Sequence, residues 1–343
     1  MKILTTPHVE HYTLGLVEAL LGLGVKVTLV TIQRRYGVAA RHYPVPRVPV
    51  PRRREWLQHA ALAALAPFHD VVHANNSSEG VASRAYDHLL VTQHGCPDPA
   101  AVEEGLRWFY EREVRSLLSL HEIGVPIVTI SYFSASEMRE KLGVKVTRVI
   151  HHGLLSMFRR ERARAFRAPH TVLWVSRLVP FKEPFVLLRA VDRIKGEAAF
   201  RVIISGDGPL REHVLSFAER RNLGGRLTLL KVPFHRMPLV YGEATIYVHT
   251  CSREAFGFSV LEAMGSGLPV VVPDAGGAAE VTGDAGVKFR AGDSDDLADK
   301  LLAVMQDPEL YEKLSRRSLE RARAFDWSAA ARSYLELYEK VRR

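Results

Sequence analysis

The sequence predicts an α/β protein made of two Rossmann-like halves, each with a parallel sheet covered by helices on both faces. Short runs rich in β-branched residues alternate with helical segments along most of the chain, which is typical of parallel sheets. The alternation stops at a basic segment, residues 158–169, and then starts again. A length of 343 residues is enough for two domains of ordinary size.

The predicted elements follow in order along the chain. Strands are expected at residues 2–5, 25–32, 70–73, 89–92, 126–130, 146–150, 171–176, 199–205, 226–231, 245–249 and 268–272. Helices are expected at residues 14–21, 102–121, 134–142, 184–193, 210–221, 237–243 and 259–265. After Gly292 the pattern is helical to the end, and Asp326-Trp327-Ser328 predicts a capped amphipathic helix as the last element.

Composition excludes some classes of protein. The two cysteines, Cys96 and Cys251, are far apart and lack the spacing of a disulfide framework or a zinc site. The first residues lack the apolar run of a signal peptide, and no stretch is long and apolar enough for a membrane span. A cytoplasmic protein is therefore expected.

The net charge of +9 and the pI of 9.6 have two interpretations. The basic residues cluster in two segments: Arg34, Arg35, Arg41, Arg47, Arg52, Arg53 and Arg54, and then Arg159, Arg160, Arg162, Arg164 and Arg167. An anionic partner would explain them, and so would a solvated basic surface. No nucleic-acid-binding module is recognisable, so nucleic acid is not expected as a partner. Peripheral contact with anionic lipid on the inner face of the cell membrane is a hypothesis.

The densest chemical signal lies at residues 252–273, SREAFGFSVLEAMGSGLPVVVP. Glu254 is expected in a loop after a strand, and Ser259 is expected to begin a helix that has Glu262 in its first turn. A helix N-terminus at the carboxyl edge of a parallel sheet binds phosphate through main-chain N–H groups. Carboxylates beside it can accept hydrogen bonds from sugar or ribose hydroxyls. In an alternative interpretation, Ser259-Val-Leu-Glu262 is a capping box, in which the glutamate only satisfies its own helix.

Two cations form a second signal, in WVSRLVPFKE. Arg177 and Lys182 follow a predicted strand in a loop before a helix. They suit a diphosphate, because arginine can bind a phosphate group bidentately and lysine can bind one as a point charge. A solvated basic loop is the alternative. The sequence SGDGP at 205–209 follows the next strand, either as part of a binding site or as a tight turn.

The string EAFGFSVLEAMGSGLPVV resembles the E-x7-E signature of retaining GT-B glycosyltransferases of family 4. The resemblance is close from about residue 171 to the end and only topological before it. It implies a GT-B fold, with two Rossmann-like domains facing each other across a cleft. The implied domains are residues 1–157 on the acceptor side, residues 158–326 binding the nucleotide sugar, and a last helix, residues 327–343, packing back on the first domain.

Within the signature, the resemblance implies a role for each residue. Glu254 would contact the hydroxyls of the transferred hexose near the reaction centre, and Glu262 would bind the ribose hydroxyls. The rest of the segment would line the donor, with the main chain of Phe256, Gly257 and Phe258 against the sugar and Ser259 and Val260 near the phosphates.

The other donor-side segments also resemble the family. Arg177 and Lys182 take the phosphate-binding positions of its G-R-L-x-x-x-K-G element, although Glu183 replaces the glycine after the lysine. Gly206 belongs to a loop similar to the family's G-x-G-P. Val232 lies where the family contacts the nucleotide base, largely through main-chain groups.

In the first half, His94 ends a predicted strand, and the family often has a histidine there, near the acceptor and the anomeric carbon. A satisfied structural histidine is the alternative. His152 lies where the family commonly has N-G, and the first loop lacks the usual Gly-Gly and offers His8, Glu10 and His11 instead. These departures leave the acceptor unidentified.

No metal is expected in the reaction. GT-A enzymes hold a divalent ion with an Asp-x-Asp motif, and Asp293-Ser-Asp295 has that spelling. It opens a helix after the last predicted strand, however, so helix capping explains it better. Arg177, Lys182 and the helix N-terminus can replace such an ion.

The sequence therefore predicts a retaining hexosyltransferase without a cofactor. It would use a UDP- or GDP-sugar and a glycan, lipid-linked or small-molecule acceptor. Arg177, Lys182, Glu254 and His94 are the predicted catalytic residues. Two alternatives stay open: an epimerase or phosphorylase on the same scaffold, and a sugar-nucleotide-binding protein without catalysis. The base, hexose, linkage, acceptor and oligomeric state are not predicted.

Overall fold

Parallel strands form the centre of the structure, a computed structural model that describes residues 1–32, 38–45, 51–102 and 104–342. The chain forms two compact units, Met1–Gly153 with Asp326–Arg343, and Leu154–Phe325. Each unit contains one sheet, and every strand pair in the described residues is parallel. The prediction of two Rossmann-like α/β domains is confirmed.

The first unit holds a seven-stranded sheet in the order β3-β2-β1-β4-β5-β6-β7. Its strands are β1 (Lys2–Thr5), β2 (Lys26–Ile32), β3 (Arg41–Val45), β4 (Val71–Ala74), β5 (Leu89–Gln93), β6 (Ile127–Thr129) and β7 (Arg148–Val149). β3 is absent from the predicted elements because Pro44 within it argues against a strand. The strand lies at the edge of the sheet, where a proline is tolerated.

The second unit holds a six-stranded sheet in the order β10-β9-β8-β11-β12-β13. Its strands are β8 (His170–Val175), β9 (Phe200–Ser205), β10 (Leu227–Leu230), β11 (Ile246–Val248), β12 (Val270–Pro273) and β13 (Val287–Phe289). The strand order reverses direction between β8 and β11. Ligands of open α/β sheets bind at such a switch point, outside the carboxyl ends of the strands.

Helices cover the sheets. They are α1 (Glu10–Gly22), α2 (Pro51–Leu65), α3 (Ser77–Ala82), α4 (Glu104–Glu122), α5 (Tyr132–Leu142), α6 (Pro184–Ile194), α7 (Arg211–Arg220), α8 (Met237–Glu243), α9 (Phe258–Gly265), α10 (Gly276–Thr282), α11 (Ser294–Gln306), α12 (Pro308–Arg323) and α13 (Trp327–Val341). In the second unit, buried apolar side chains of β8, β9, α6 and α11 form a common core. None of the helices, as far as they are described, is both long and apolar enough to cross a membrane.

The last helix belongs to the first unit. Asp326 caps α13 by accepting a hydrogen bond from a main-chain N–H of its first turn at 2.9 Å, as the sequence predicts. Tyr334 and Tyr338 on this helix are buried. Their hydroxyls lie 3.0 Å from Oγ1 of Thr92 and 2.7 Å from Nδ1 of His73, so α13 is bonded directly to strands β5 and β4.

Arginines of the second basic segment form part of the fold of the second unit. Arg34, Arg35 and Arg47 lie outside the described residues. In the second segment, Arg164 donates to four main-chain carbonyls at the ends of α8 and α9, at 2.9–3.1 Å. Arg159 donates to two more carbonyls of the same unit. These two arginines therefore stabilise the fold, and their clustering is not by itself a sign of an anionic partner.

Replacing Gly15 of α1 by alanine is expected to lower the melting temperature. An added Cβ would lie 2.1 Å from the indole ring of Trp327, so the helices must move apart. Overpacking of this kind costs about 1–3 kcal/mol. Gly22→Ala on the same helix is the control, because no atom lies within 4 Å of its added Cβ. Thermal denaturation measures both variants, and a wild-type melting temperature for Gly15→Ala would contradict the packing.

Candidate functional site

The two loops that follow β8 and β11 flank the switch point of the second sheet, and they are bonded side by side. Residues 250–252 of one loop bond to residues 181–183 of the other. The bonds run from Thr250 Oγ1 to the Lys182 carbonyl (2.9 Å), from Cys251 Sγ to the Phe181 carbonyl (3.2 Å), and from the Ser252 N–H and hydroxyl to the Glu183 carboxylate (3.2 and 2.5 Å).

This arrangement places Lys182 against Glu254. Nζ of Lys182 donates to Oε2 of Glu254 at 2.7 Å, and the two side chains are only 11% and 18% exposed. Burial alone would raise the pKa of Glu254, but Lys182, together with His249 nearby, holds it well below its usual value. Burial alone would lower the pKa of Lys182, but the Glu254 carboxylate raises it. Both groups therefore stay charged at neutral pH.

Arg177 is exposed, in a loop fixed by the loop that follows β9. The Leu178 N–H donates to the Asp207 carbonyl at 2.9 Å. A Cβ added at Gly206 would lie 1.8 Å from the carbonyl oxygen of Ser176. The close approach of two main chains requires a glycine at 206, whatever else that residue contacts.

The N-terminus of α9 carries no side-chain cap. Its N-cap is Gly257, in the left-handed conformation with φ of 99°, and the helix begins one residue before the predicted start. Oε2 of Glu262 accepts a hydrogen bond from Tyr241 at 2.7 Å, and Oγ of Ser259 lies 2.8 Å from the Tyr247 hydroxyl. The capping-box interpretation is therefore wrong.

The start of helix α10, which follows β12, also contacts the Glu254 loop, and the sequence alone did not predict this contact. The Gly277 N–H donates to the Glu254 carbonyl at 2.6 Å. An added Cβ at Gly277 would lie 2.3 Å from the Ala255 carbonyl oxygen, and Gly276 has a φ of 80°. In the sequence, the two adjacent glycines after an apolar strand were the feature from which this close contact could have been predicted. The Glu254 loop is thus held on both sides.

In the part of the chain that the structure describes, one group of His, Cys or acidic residues could hold a metal ion. Donor atoms of His249, Cys251 and Glu254 lie within 4.8 Å of one another. Cysteine and histidine spacing in the sequence does not predict this group, because the turn after β11 brings it together. Asp293, in contrast, caps α11 by accepting hydrogen bonds from two main-chain N–H groups, which confirms the capping interpretation of that motif.

In the first unit, three of the predicted acceptor-side residues lie together. The ring of His94 stacks on that of His8 with centroids 3.8 Å apart, and it lies 5.4 Å from the ring of His152. Burial lowers the pKa of His94 and of His152 well below the usual value, so both rings are neutral at pH 7. His11 instead bonds to a main-chain carbonyl at 3.1 Å, and Glu10 is the first residue of α1.

Two glutamates of the first unit, Glu79 and Glu113, are buried, and no motif in the sequence predicts this. Oε2 of Glu79 accepts from the Thr6 hydroxyl at 2.5 Å and the Asn75 N–H at 3.0 Å. Glu113 accepts from the first two N–H groups of α3, at 3.0 and 3.4 Å. Burial raises the pKa of Glu79 to about 7 and also raises that of Glu113.

Comparison with known proteins agrees with the fold. Residues 158–321, nearly the whole second unit, match the family model described as glycosyl transferases group 1. Sucrose-phosphate synthase of Thermosynechococcus elongatus superposes with a TM-score of 0.82 at 20% identity, over 99% of this chain and 98% of that one. HepE of Anabaena, solved in complex with UDP-glucose, has a TM-score of 0.79 at 18% identity, over 99% and 100%. The chain has the GT-B fold.

Curated relatives match about half of this GT-B chain. D-inositol 3-phosphate glycosyltransferase of Nocardia farcinica is 32% identical over 178 residues, 49% of this chain and 40% of the relative. O-antigen chain mannosyltransferase B of Escherichia coli is 30% identical over 171 residues, 49% of this chain and 45% of the relative. The matched regions therefore span less than half the length of these relatives.

The contribution of Glu79 to folding stability is expected to fall as pH rises from about 5 to about 7, whereas buried histidines such as His94 and His152 contribute in the opposite direction. Glu79 has a pKa of about 7 in the folded state, above the ordinary 4.5, so the folded state binds more protons in this range. This contribution is complete below the lower value and is lost as pH rises through the higher one, by about 3 kcal/mol in total.

Glu79→Gln should remove this contribution, because the amide resembles the protonated acid, so the stability of the variant relative to wild type should rise as pH rises from about 5 to about 7. Urea unfolding across this pH range measures it, with Glu122→Gln as the control, since Glu122 is exposed on the same unit. A stability difference between Glu79→Gln and wild type that does not change with pH would contradict the raised pKa of Glu79.

The hydrogen bonds from Ser252 to the Glu183 carboxylate are expected to offset a strained backbone conformation at Glu183. It has a φ of 53° and a ψ of 44°, a left-handed conformation that costs a non-glycine residue about 1–2 kcal/mol. Glu183→Ala loses the bonds and keeps the strain, whereas Glu183→Gly loses the bonds and removes the strain. The glycine variant should therefore be more stable than the alanine variant by about 1 kcal/mol in denaturant unfolding. The reverse order would contradict this account.

Proposed function

We propose that the chain is a metal-independent, retaining glycosyltransferase. It transfers a hexose from a UDP- or GDP-sugar, bound by the second unit, to a glycan, lipid-linked or small-molecule acceptor. The observation that carries the proposal is the charged pair of Lys182 and Glu254 at the switch point of the second sheet, with Glu254 four residues before the uncapped start of α9. A diphosphate requires cations and N–H donors, and a sugar hydroxyl requires an acceptor such as a carboxylate.

The pair is suited to a donor because each partner keeps the other ionised in a largely buried place. On donor binding, Lys182 turns to the diphosphate and Glu254 accepts hydrogen bonds from hexose hydroxyls. Exposed Arg177 binds the outer phosphate oxygens bidentately. Glu262 binds the ribose hydroxyls.

Main-chain groups complete the donor site. The left-handed Gly257 turns the chain so that N–H groups at the start of α9 can point to an anion, which the helix dipole favours. In this assignment Phe256, Gly257 and Phe258 contact the sugar, and Ser259 and Val260 lie near the phosphates. Gly206 and Val232, in the loops after β9 and β10, contact the nucleotide.

The reaction follows from this charge distribution. The bond between the anomeric carbon and the β-phosphate oxygen breaks, and negative charge builds on the departing diphosphate. Arg177, Lys182 and the N–H groups stabilise that charge without a metal ion. The acceptor hydroxyl attacks from the same face, and the departing phosphate oxygen takes its proton. His94, neutral at pH 7, lies on the acceptor side with His8, His11, His152 and Glu10.

The relatives support a hexosyl donor. Two curated relatives are a D-inositol 3-phosphate glycosyltransferase and a mannosyltransferase, and HepE was solved with UDP-glucose. Product analysis separates the alternatives, since a transferase yields a nucleoside diphosphate and a glycoside, whereas an epimerase returns a nucleotide sugar. Cytoplasmic location with peripheral attachment to anionic membrane stays a prediction.

Arg177→Ala is expected to lower kcat/KM by about 10- to 150-fold, the loss of one charge-assisted contact to phosphate worth about 1.5–3 kcal/mol. Release of UDP or GDP from a panel of nucleotide sugars, in the presence of EDTA, measures it. Arg189→Ala is the matched control, because Arg189 is also exposed, on α6. Near wild-type kcat/KM in Arg177→Ala would overturn the phosphate assignment, and complete loss of activity in EDTA would overturn metal independence.

A further inference from the structure

A second chemistry is available at Glu254. Nε2 of His249 lies 3.4 Å from Oε2 of Glu254, and Sγ of Cys251 lies within 4.8 Å of both ligand groups. Ligand atoms around a tetrahedral zinc ion, at 2.0–2.3 Å from it, are about 3.3–3.8 Å apart. The histidine and the glutamate are already at this spacing, and Cys251 would need to move by only about 1 Å.

His249 is the residue whose surroundings most favour a bound ligand. Its side chain is 1% exposed, and both ring nitrogens are buried. Nε2 lies 3.4 Å from Oε2 of Glu254 and helps to keep the pKa of that carboxylate low, whereas Nδ1 has no hydrogen-bond partner among the described residues. Buried polar atoms in native proteins are nearly always bonded to protein, water or an ion, so an imidazole in this state requires an explanation.

We propose that His249, Cys251 and Glu254 bind a divalent transition ion of the zinc class, and that the ion and the nucleotide sugar exclude each other. Imidazole, thiolate and carboxylate are donors that zinc takes, and three protein ligands leave one position for water. Binding forms a sulfur–metal bond and releases the thiol proton of Cys251 to solvent. Only the competition with the sugar rests on the proposed function, whereas metal binding does not.

Lys182 sets the strength of this site. Its Nζ donates to the oxygen of Glu254 that faces His249, so an incoming ion must displace it. The ion enters from the side of Glu254, which is the most exposed of the three ligands, with 18% of its side chain exposed. Since Glu254 would bind either the ion or the sugar hydroxyls, each ligand lowers the affinity for the other by the same factor.

Cobalt titration of the full-length, metal-free protein tests binding without an activity assay. Thiolate-bound tetrahedral cobalt shows a sulfur-to-metal charge-transfer band and visible ligand-field bands, and zinc should abolish both by displacement. Cys251→Ser should lose the charge-transfer band. Cys96→Ser is the matched control and should keep it, since Cys96 is the other of the two cysteines in the chain.

Lys182→Met provides a second test, because this substitution is expected to strengthen metal binding where most substitutions near the site would weaken it. Removing the competing cation should tighten cobalt binding by about tenfold or more, whereas a variant that merely damages the fold would weaken it. Absence of the charge-transfer band in wild type, or its persistence in Cys251→Ser, overturns the proposal.

Zinc inhibition then tests the competition. Zinc should raise the KM for the nucleotide sugar in wild type and in Cys96→Ser, and have a much smaller effect on Cys251→Ser, each compared with its own zinc-free rate. If cobalt binds but no hexose transfer is detected, the proposed function is contradicted and the metal site is not. Transfer that is insensitive to zinc, despite cobalt binding, would overturn the competition alone.

Discussion

The ion pair between Lys182 and Glu254 is the interaction on which the site of the second unit depends. Two opposite charges in a largely buried place are stable only together, because removing one leaves the other without compensation. The surrounding loops are arranged to hold this contact. Residues 181–183 are bonded to residues 250–252, and Gly277 bonds to the Glu254 carbonyl from the opposite side.

The first six strands of each unit follow the same order, but the two units differ in the chemistry of their carboxyl edges. In the second unit this edge carries charges that neutralise each other and donors that suit an anion. In the first unit it carries neutral imidazoles, His94 and His152, and glutamates whose proton affinity is raised by burial. Under the proposed function, the nucleotide sugar would bind at the charged edge of the second unit, and the acceptor hydroxyl would bind at the neutral edge of the first.

Glu254 is the residue that the proposed donor site and the proposed metal site share. Its carboxylate has Lys182 on one side and the ring of His249 on the other, with Cys251 two residues from the histidine. A carboxylate kept ionised for sugar hydroxyls is also a good ligand for a cation. The same electrostatics that support the proposed transfer thus provide a means by which a metal ion could block it.

The sequence by itself determined the two Rossmann-like halves and the loops that carry Arg177, Lys182 and Glu254. Strand and helix periodicity is a local property, and the carboxyl ends of parallel strands necessarily meet at one edge of a sheet. Edge strand β3, with its proline, and helix α2, with its arginine-rich start, fell outside the predicted elements because their composition hides the pattern.

Only the tertiary structure decided how those side chains are partnered. It paired Lys182 with Glu254, bonded Glu262 to Tyr241 in place of a cap, and brought His249 next to Glu254. It also buried Glu79, which raised its pKa. Each of these contacts joins residues that are distant in the chain or separated by a turn. Their distances depend on loop conformation and burial, which residue spacing does not encode.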